Sequence, residues 1–95
     1  MQKISALLHR NDIKSMYYVY ILRCSDDTLY TGITTDPERR LKQHNSGTAA
    51  KYTRSRRPVE MVYKETALGK SEALKRELEI KALSRNQKLE LVRRA

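Results

Sequence analysis

The chain has 95 residues and a formal net charge of +9, and it contains no Trp and no Phe. A chain of this length forms one small domain, and its core must be built mainly from Tyr, Leu, Ile, Val and Met. A single cysteine, Cys24, excludes an internal disulfide, and without an apolar run of about 18 residues or a signal-peptide segment we predict a cytoplasmic protein with no membrane span.

The first elements in chain order are an extension and a hairpin. Residues 1–15 have no strong helical or strand pattern, so we predict an N-terminal extension, disordered or not native, before a folded domain over 16–95. Residues 17–23 are rich in β-branched and aromatic side chains, which predicts a strand. A polar turn over 25–28 leads to a second predicted strand over 29–34, so the two strands form a hairpin.

The first helix is predicted from Asp36-Pro37, because Asp caps a helix and Pro favours its first position. The helix should end near residue 45, with Gly47 as its stop signal. Residues 48–57 are interpreted as a basic loop.

The second half begins with a third strand, predicted to run from residue 59 to about residue 65. After the break at Gly69, Ser71 is predicted to cap a helix of about 13 residues. Ser84 and Gln87 have capping-box spacing and start a last helix to about Arg93. The order β-β-α-β-α-α predicts an α+β fold with a small three-stranded central sheet flanked by helices.

Two tyrosines of the hairpin are candidate site residues. Strand side chains alternate, so Tyr20 lies on the face opposite Val19, and Tyr30 of the partner strand can approach it. A strand tyrosine is more often a core aromatic with a satisfied hydroxyl. Gly32 inside the second strand is nevertheless typical of close approach by a ligand or another segment.

Arg40 and His44 are four residues apart, so they project from one face of the predicted helix near the hairpin end. Arg can bind a phosphate with two hydrogen bonds, and His can position water or accept a proton near neutral pH. A solvated Arg/His pair is the alternative.

Glu77 falls on the apolar side of its predicted helix, flanked by Ala73, Leu74 and Ile80. A buried carboxylate is costly unless it is paired or bound to a metal. One carboxylate favours Mg²⁺ or Mn²⁺, whereas Cys24 and two histidines make no plausible zinc set. The alternatives are an ion pair with Lys81 or a rotated helix that exposes Glu77.

A basic stretch over residues 39–57 has no acidic residue, which favours a polyanion such as nucleic acid as the partner. Its second half predicts contacts with a DNA or RNA backbone, with the aromatic residue able to stack on a base. The candidate nucleic-acid-binding residues are Lys51, Tyr52, Arg54, Arg56 and Arg57. The alternative is a solvated surface that serves only solubility.

In this order, the candidate residues resemble the GIY-YIG endonuclease superfamily, and in particular its small stand-alone bacterial branch. The resemblance rests on the segments 17–22, 29–32 and 50–53 and on the set Tyr20, Tyr30, Gly32, Arg40, His44 and Glu77. It implies a three-stranded sheet flanked by helices and hydrolysis of phosphodiesters with one divalent ion, Mg²⁺ or Mn²⁺, and no small-molecule cofactor.

The resemblance also implies roles by position. Glu77 would hold the metal, and Tyr30 would act as the general base or position the attacking water. Tyr20 and His44 would orient water and the scissile phosphate. Arg40 would stabilise charge on the phosphate in the transition state.

The chain departs from the family pattern at Tyr18, Val19 and Thr31. A late asparagine near the site is frequent in the family, and Asn86 is the only late Asn here. With no additional DNA-binding domain, we expect cleavage of DNA selected by structure rather than sequence, in repair or recombination, with a targeting protein as a candidate partner. The alternative function is a non-catalytic nucleic-acid-binding module with a nuclease fold.

Overall fold

The computed structural model describes residues 16–95, and the extension predicted over 1–15 lies outside this range. Three antiparallel strands form one sheet with the order β2-β1-β3. The strands are β1 (Met16–Arg23), β2 (Leu29–Thr34) and β3 (Glu60–Leu68). The helices are α1 (Pro37–Ser46), α2 (Lys51–Arg54), α3 (Gly69–Lys81) and α4 (Arg85–Arg94). The predicted α+β fold with a small central sheet is therefore confirmed.

The helix ends that local signals predicted are also present. Asp36 accepts a hydrogen bond from the backbone N–H of Arg39 at 3.2 Å, with Pro37 as the first helical residue. Gly47 ends α1 in the left-handed conformation, with φ of 85°. At the start of α4, Ser84 and Gln87 form both hydrogen bonds of a capping box. These ends follow the sequence closely because their interactions are local.

Three predicted boundaries are wrong. The loop predicted over 48–57 contains the short helix α2. Strand β3 continues to Leu68 because its last residues pair with the start of β1, where Leu68 lies opposite Met16. Helix α3 begins at Gly69, so Ser71 lies inside the first turn instead of capping it. Gly69 has φ of 87°, a conformation that lets the strand turn directly into the helix.

The sheet separates two apolar clusters. On one face, Val19 and Ile21 pack with Ala73 and Ile80 of α3. A second cluster on the other face contains Tyr20, Leu22, Cys24 and Val59. Tyr30 of β2 and Leu41 of α1 pack against it. The predicted alternation along β1 is confirmed, and it places the Tyr20 phenol on the α1 side of the sheet.

Gly32 lies opposite Tyr20 in the β1–β2 ladder. A Cβ atom at position 32 would lie 2.6 Å from the Tyr20 hydroxyl oxygen and 2.8 Å from the ring carbon that carries it. Both distances are below any normal contact. The close approach predicted at Gly32 is therefore made by the Tyr20 ring, and the glycine leaves room for that ring beside β2.

We expect Gly32→Ala to lower the free energy of unfolding by about 1–3 kcal/mol, because the added methyl group displaces the buried Tyr20 ring. Urea denaturation would measure this loss. The closest contact is with the Tyr20 hydroxyl, so Gly32→Ala should cost less in a Tyr20→Phe background. An equal cost in both backgrounds would show that the Tyr20 hydroxyl is not the obstacle.

Candidate active site

The centre of the site is a hydrogen bond between β1 and α1. The Tyr20 hydroxyl lies 2.8 Å from Nε2 of His44. The His44 side chain is fully buried, and Tyr20 is 1% exposed. His44 reaches the sheet because it stands in the last turn of α1, on the side that faces the hairpin. Tyr20 and His44 are thus brought together as a fixed pair.

The second ring nitrogen of His44 is held by a residue that the sequence analysis missed. Nδ1 lies 2.8 Å from the hydroxyl oxygen of Thr53, which is fully buried. Thr53 also bonds the backbone carbonyl of Ala50 at 3.2 Å. In a helical turn, a threonine hydroxyl often donates to the carbonyl three residues earlier. This signal was missed because residues 48–57 were predicted to form a loop.

Burial controls the protonation of this pair. Burial, together with a smaller contribution from the nearby Arg40 charge, lowers the pKa of His44 to about 4. Burial also raises the pKa of Tyr20 to about 12, although Arg40 opposes this shift. At neutral pH both groups are uncharged. His44 therefore works as a neutral hydrogen-bonding group, which disfavours the predicted role of proton acceptor near neutral pH.

The depressed pKa of His44 links its burial to stability. Unfolded His44 binds a proton below a pKa near 6.5, whereas folded His44 resists protonation until about pH 4. Its contribution is therefore complete above pH 6.5 and is lost as the pH falls toward 4. We expect the wild type to lose up to about 3 kcal/mol in this window relative to His44→Asn, measured by urea denaturation at several pH values. Parallel pH profiles of the two proteins would contradict the burial of a neutral His44.

Tyr30 joins the pair through its ring. It packs edge-on against His44 with 5.3 Å between ring centroids, and it stacks on Tyr52 of α2 at 5.8 Å. The Arg56 guanidinium lies 3.9 Å from the centre of the Tyr52 ring. Tyr52 is 38% exposed. Its ring therefore already has two packing partners within the protein, Tyr30 and Arg56.

Arg40 lies beside Tyr20 and His44, and its charge affects the pKa of both. One of its terminal nitrogens donates to the Gln43 side chain at 3.0 Å. Its Nε atom is buried and has no hydrogen-bond partner among residues 16–95. A buried donor without a partner is costly. Arg40 is thus a partly buried cation with a donor still to be satisfied.

Glu77 is the candidate metal ligand on α3. Its side chain is 16% exposed and lies 3.3 Å from the Lys81 ammonium, so the ion pair left open above is present. Ala73 and Ile80 are fully buried as predicted, but Leu74 is 42% exposed. The prediction that Leu74 flanks Glu77 inside the core is wrong, because the helix turns that residue outward. Glu77 therefore lies at the rim of the core.

The donor set fits a hard divalent ion bound at one carboxylate. No group of three or more His, Cys, Asp or Glu side chains is found in the part of the chain that the structure describes. Mg²⁺ and Mn²⁺ use one or two carboxylates together with waters and phosphate oxygens. The charge of Glu77 is also the last of the causes that act on the pKa of Tyr20.

The basic segment divides into exposed and bonded groups. Lys51 and Arg54 are exposed. Arg56 binds Asp26 at 3.0 Å and the Tyr52 carbonyl at 2.8 Å. Arg57 donates to the carbonyls of Arg54 and Asn45 at 2.8 and 3.3 Å. Arg56 and Arg57 consequently hold α2 in place, which leaves fewer of their donors for a phosphate backbone.

Two asparagines, Asn86 and Asn45, have different surroundings. Asn86, the late asparagine of the sequence analysis, is exposed in the first turn of α4. Asn45 was not predicted as important, yet its side chain makes two hydrogen bonds with the backbone of Val59, at 2.7 and 3.0 Å. This pair fixes the end of α1 to the entry of β3. It thereby supports the position of His44 one residue earlier.

In the described part of the chain, no helix is long and apolar enough to cross a membrane.

The match to known proteins is extensive. A UPF0213 protein of Staphylococcus haemolyticus is 55% identical over 76 residues, covering 80% of this chain and 93% of the relative. A UPF0213 protein of Clostridium perfringens is 57% identical over 77 residues, covering 81% and 83%.

Two solved structures are also similar. The solution structure of a UPF0213 protein from Bacillus halodurans has 51% sequence identity and a TM-score of 0.52, covering 81% of this chain and 82% of that one. A second solution structure, of a protein from E. faecalis, has 46% identity and a TM-score of 0.54, covering 80% and 82%. The family model described as the GIY-YIG catalytic domain matches residues 16–90. The resemblance is confirmed, and the chain belongs to the GIY-YIG catalytic domain family.

Proposed function

We propose that this protein is a metal-dependent endonuclease that hydrolyses phosphodiester bonds in DNA and selects its substrate by structure. The observation that carries the proposal is the convergence of Tyr20, Tyr30, Arg40 and His44 between the hairpin and α1. Membership of a catalytic-domain family supports the same activity. A cytoplasmic role in repair or recombination, with a targeting protein, is part of this proposal.

Arg40 is proposed to bind the scissile phosphate. Its buried Nε needs an acceptor, and a phosphoryl oxygen is an acceptor of the right charge. A cation in a partly buried site stabilises developing negative charge more strongly than one in water. The neutral states of Tyr20 and His44 leave Arg40 as the cation of this cluster.

Glu77 is proposed to hold one Mg²⁺ or Mn²⁺ ion, which would polarise the phosphoryl oxygen bound to it. Lys81 is half exposed and lies on the same side of α3. Its flexible side chain can turn into solvent when another cation takes its place beside Glu77. The Lys81 pair would thus neutralise Glu77 only while the metal is absent.

The two phenols are proposed to differ in role. Tyr20 keeps its proton, because its pKa is raised to about 12 and its hydroxyl is bonded to His44. Tyr20 can orient a water or a phosphate. It does not readily lose its own proton, so it is a poor general base. Tyr30 is therefore the better candidate for the residue that positions or deprotonates the attacking water.

A second candidate function is a nucleic-acid-binding module without turnover. One observation favours it: the Glu77 carboxylate is already paired with Lys81. If that pair is permanent, Glu77 offers no site for a metal. Binding would then rest on the net charge of +9 and on exposed groups such as Lys51 and Arg54.

The test is cleavage and binding of a labelled panel that contains single strand, duplex, flap, fork, four-way junction and RNA. Each is incubated with Mg²⁺, Mn²⁺ or EDTA. We expect metal-dependent cutting of branched DNA, and binding that weakens steeply with salt. Lys51→Ala with Arg54→Ala should flatten the salt dependence by about two units, whereas Arg94→Ala on α4 should not. Tight, salt-sensitive binding without cutting under any condition would favour the binding module.

A further inference from the structure

A chain of hydrogen bonds links the backbone before α2 to the Tyr20 phenol. The Thr53 hydroxyl lies 3.2 Å from the Ala50 carbonyl and 2.8 Å from Nδ1 of His44. Nε2 of His44 then lies 2.8 Å from the Tyr20 hydroxyl. Thr53 and His44 are fully buried and Tyr20 is 1% exposed. Thr53 belongs to α2, His44 to α1 and Tyr20 to β1. This series of hydrogen bonds therefore connects α2 to the sheet through α1.

The number of available protons decides which group donates and which accepts in each of these hydrogen bonds. A carbonyl oxygen only accepts, so the single proton of the Thr53 hydroxyl is given to Ala50. The Thr53 oxygen must then accept the proton of Nδ1. A neutral imidazole has one N–H, so Nε2 carries no proton and accepts from the Tyr20 hydroxyl. Every bond in the chain is satisfied in this order.

The opposite order of donors and acceptors leaves the proton of the Tyr20 hydroxyl without an acceptor in this series. If Thr53 donated to Nδ1, then Nε2 would donate to the Tyr20 oxygen, and the phenol proton would have to point elsewhere. The Arg40 guanidinium lies beside the Tyr20 hydroxyl, and it can donate but not accept. The Ala50 carbonyl would also lose its bond from Thr53. The available donors and acceptors therefore favour the first order.

We propose that Thr53 is a positioning residue: it fixes the Nδ1–H tautomer of His44, so that the Tyr20 oxygen presents only acceptor lone pairs to Arg40 beside it. This inference rests on the proposed nuclease function for its catalytic consequence. An oxygen whose proton is held by His44 accepts from Arg40 or from the attacking water. It thereby orients them without competing for the phosphate as a donor.

The matched variants are Thr53→Val, which keeps the shape and removes the hydroxyl, and Thr53→Ser, which keeps the hydroxyl. Long-range ¹H–¹⁵N correlation spectra distinguish a protonated from an unprotonated ring nitrogen. The other histidine, His9, is assigned by His9→Gln. We expect the wild type and Thr53→Ser to carry the proton on Nδ1, and Thr53→Val to lose this preference. A wild-type His44 protonated on Nε2 would overturn the inference, and so would an unchanged tautomer in Thr53→Val.

Cleavage kinetics test the catalytic consequence. We expect Thr53→Val to lower kcat by about 10- to 100-fold with little change in KM, and Thr53→Ser to restore it, because outer groups that orient a functional histidine have effects of this size. Wild-type kcat in a Thr53→Val protein with a changed tautomer would overturn the catalytic part. The spectra need no turnover, so failure of the nuclease proposal and failure of the tautomer assignment are distinguished. If Thr53→Val does not fold, the wild-type and Thr53→Ser spectra still decide the tautomer.

Discussion

Glu77→Gln is expected to lower metal-dependent cleavage by about a thousandfold while leaving DNA binding nearly unchanged. The amide keeps the shape of the carboxylate but removes the charge that would hold a divalent ion. A metal that polarises a phosphoryl oxygen contributes several kcal/mol to transition-state stabilisation, and about 1.4 kcal/mol corresponds to a tenfold change in rate. Single-turnover cleavage on the best substrate of the panel, beside a binding titration, measures both quantities.

Two variants serve as controls for Glu77→Gln. Glu72→Gln removes an exposed carboxylate from the same helix, one that pairs with Lys75 at 3.8 Å, and it should cleave like the wild type. Lys81→Met removes the partner of Glu77 and should tighten the apparent affinity for Mg²⁺, because the cation no longer displaces the ammonium. Full activity of Glu77→Gln would contradict a metal site at Glu77. A weaker apparent affinity for Mg²⁺ in Lys81→Met would also contradict it.

Arg40→Lys is the second large effect. Lysine keeps the charge but loses the flat set of donors that can bind a phosphate with two hydrogen bonds. We expect a loss of about 100- to 1,000-fold in kcat, the size found when one donor to a developing charge is removed. Affinity for DNA should fall much less, since the net charge is unchanged. Rates and binding are measured on the same branched DNA.

Arg39→Lys is the matched control, because Arg39 is the exposed neighbour on α1 and points about 100° away from Arg40 around the helix. It should leave kcat unchanged. For Arg40→Ala, turnover should again be lost more than binding. Equal losses in turnover and binding would mean that Arg40 binds the ground state and transition state alike, and the transition-state role would then be rejected.

Much of the fold could be predicted because its signals are local or periodic. Alternation in β1 placed Tyr20 and Val19 on opposite faces, and their packing in two separate clusters confirms it. The caps at Asp36 and at Ser84 are formed by residues within three positions of each other. The end of β3 could not be predicted in this way. It is decided by pairing with β1, where Ala67 lies opposite Tyr17, far away in the sequence.

The candidate site was predicted less completely, because its contacts are long-range. Thr53 acquires its meaning from His44, nine residues earlier, and only the turn of α2 brings the two together. The bond from Arg57 to the Asn45 carbonyl likewise depends on the position of α1, so a charge count could not separate Arg57 from Lys51. Spacing alone indicated both a metal site and an ion pair with Lys81 for Glu77, and the choice depends on side-chain orientation.

The measurement that tests the nuclease proposal most directly is cleavage of branched DNA in ¹⁸O-labelled water with Mg²⁺, followed by mass analysis of the product ends. Hydrolysis by an attacking water predicts one ¹⁸O atom in the terminal phosphate formed by the wild type. It also predicts no product with EDTA and almost none with Glu77→Gln. Absence of cleavage under all these conditions, or cleavage that places no ¹⁸O in the new phosphate, would contradict metal-dependent hydrolysis by this protein.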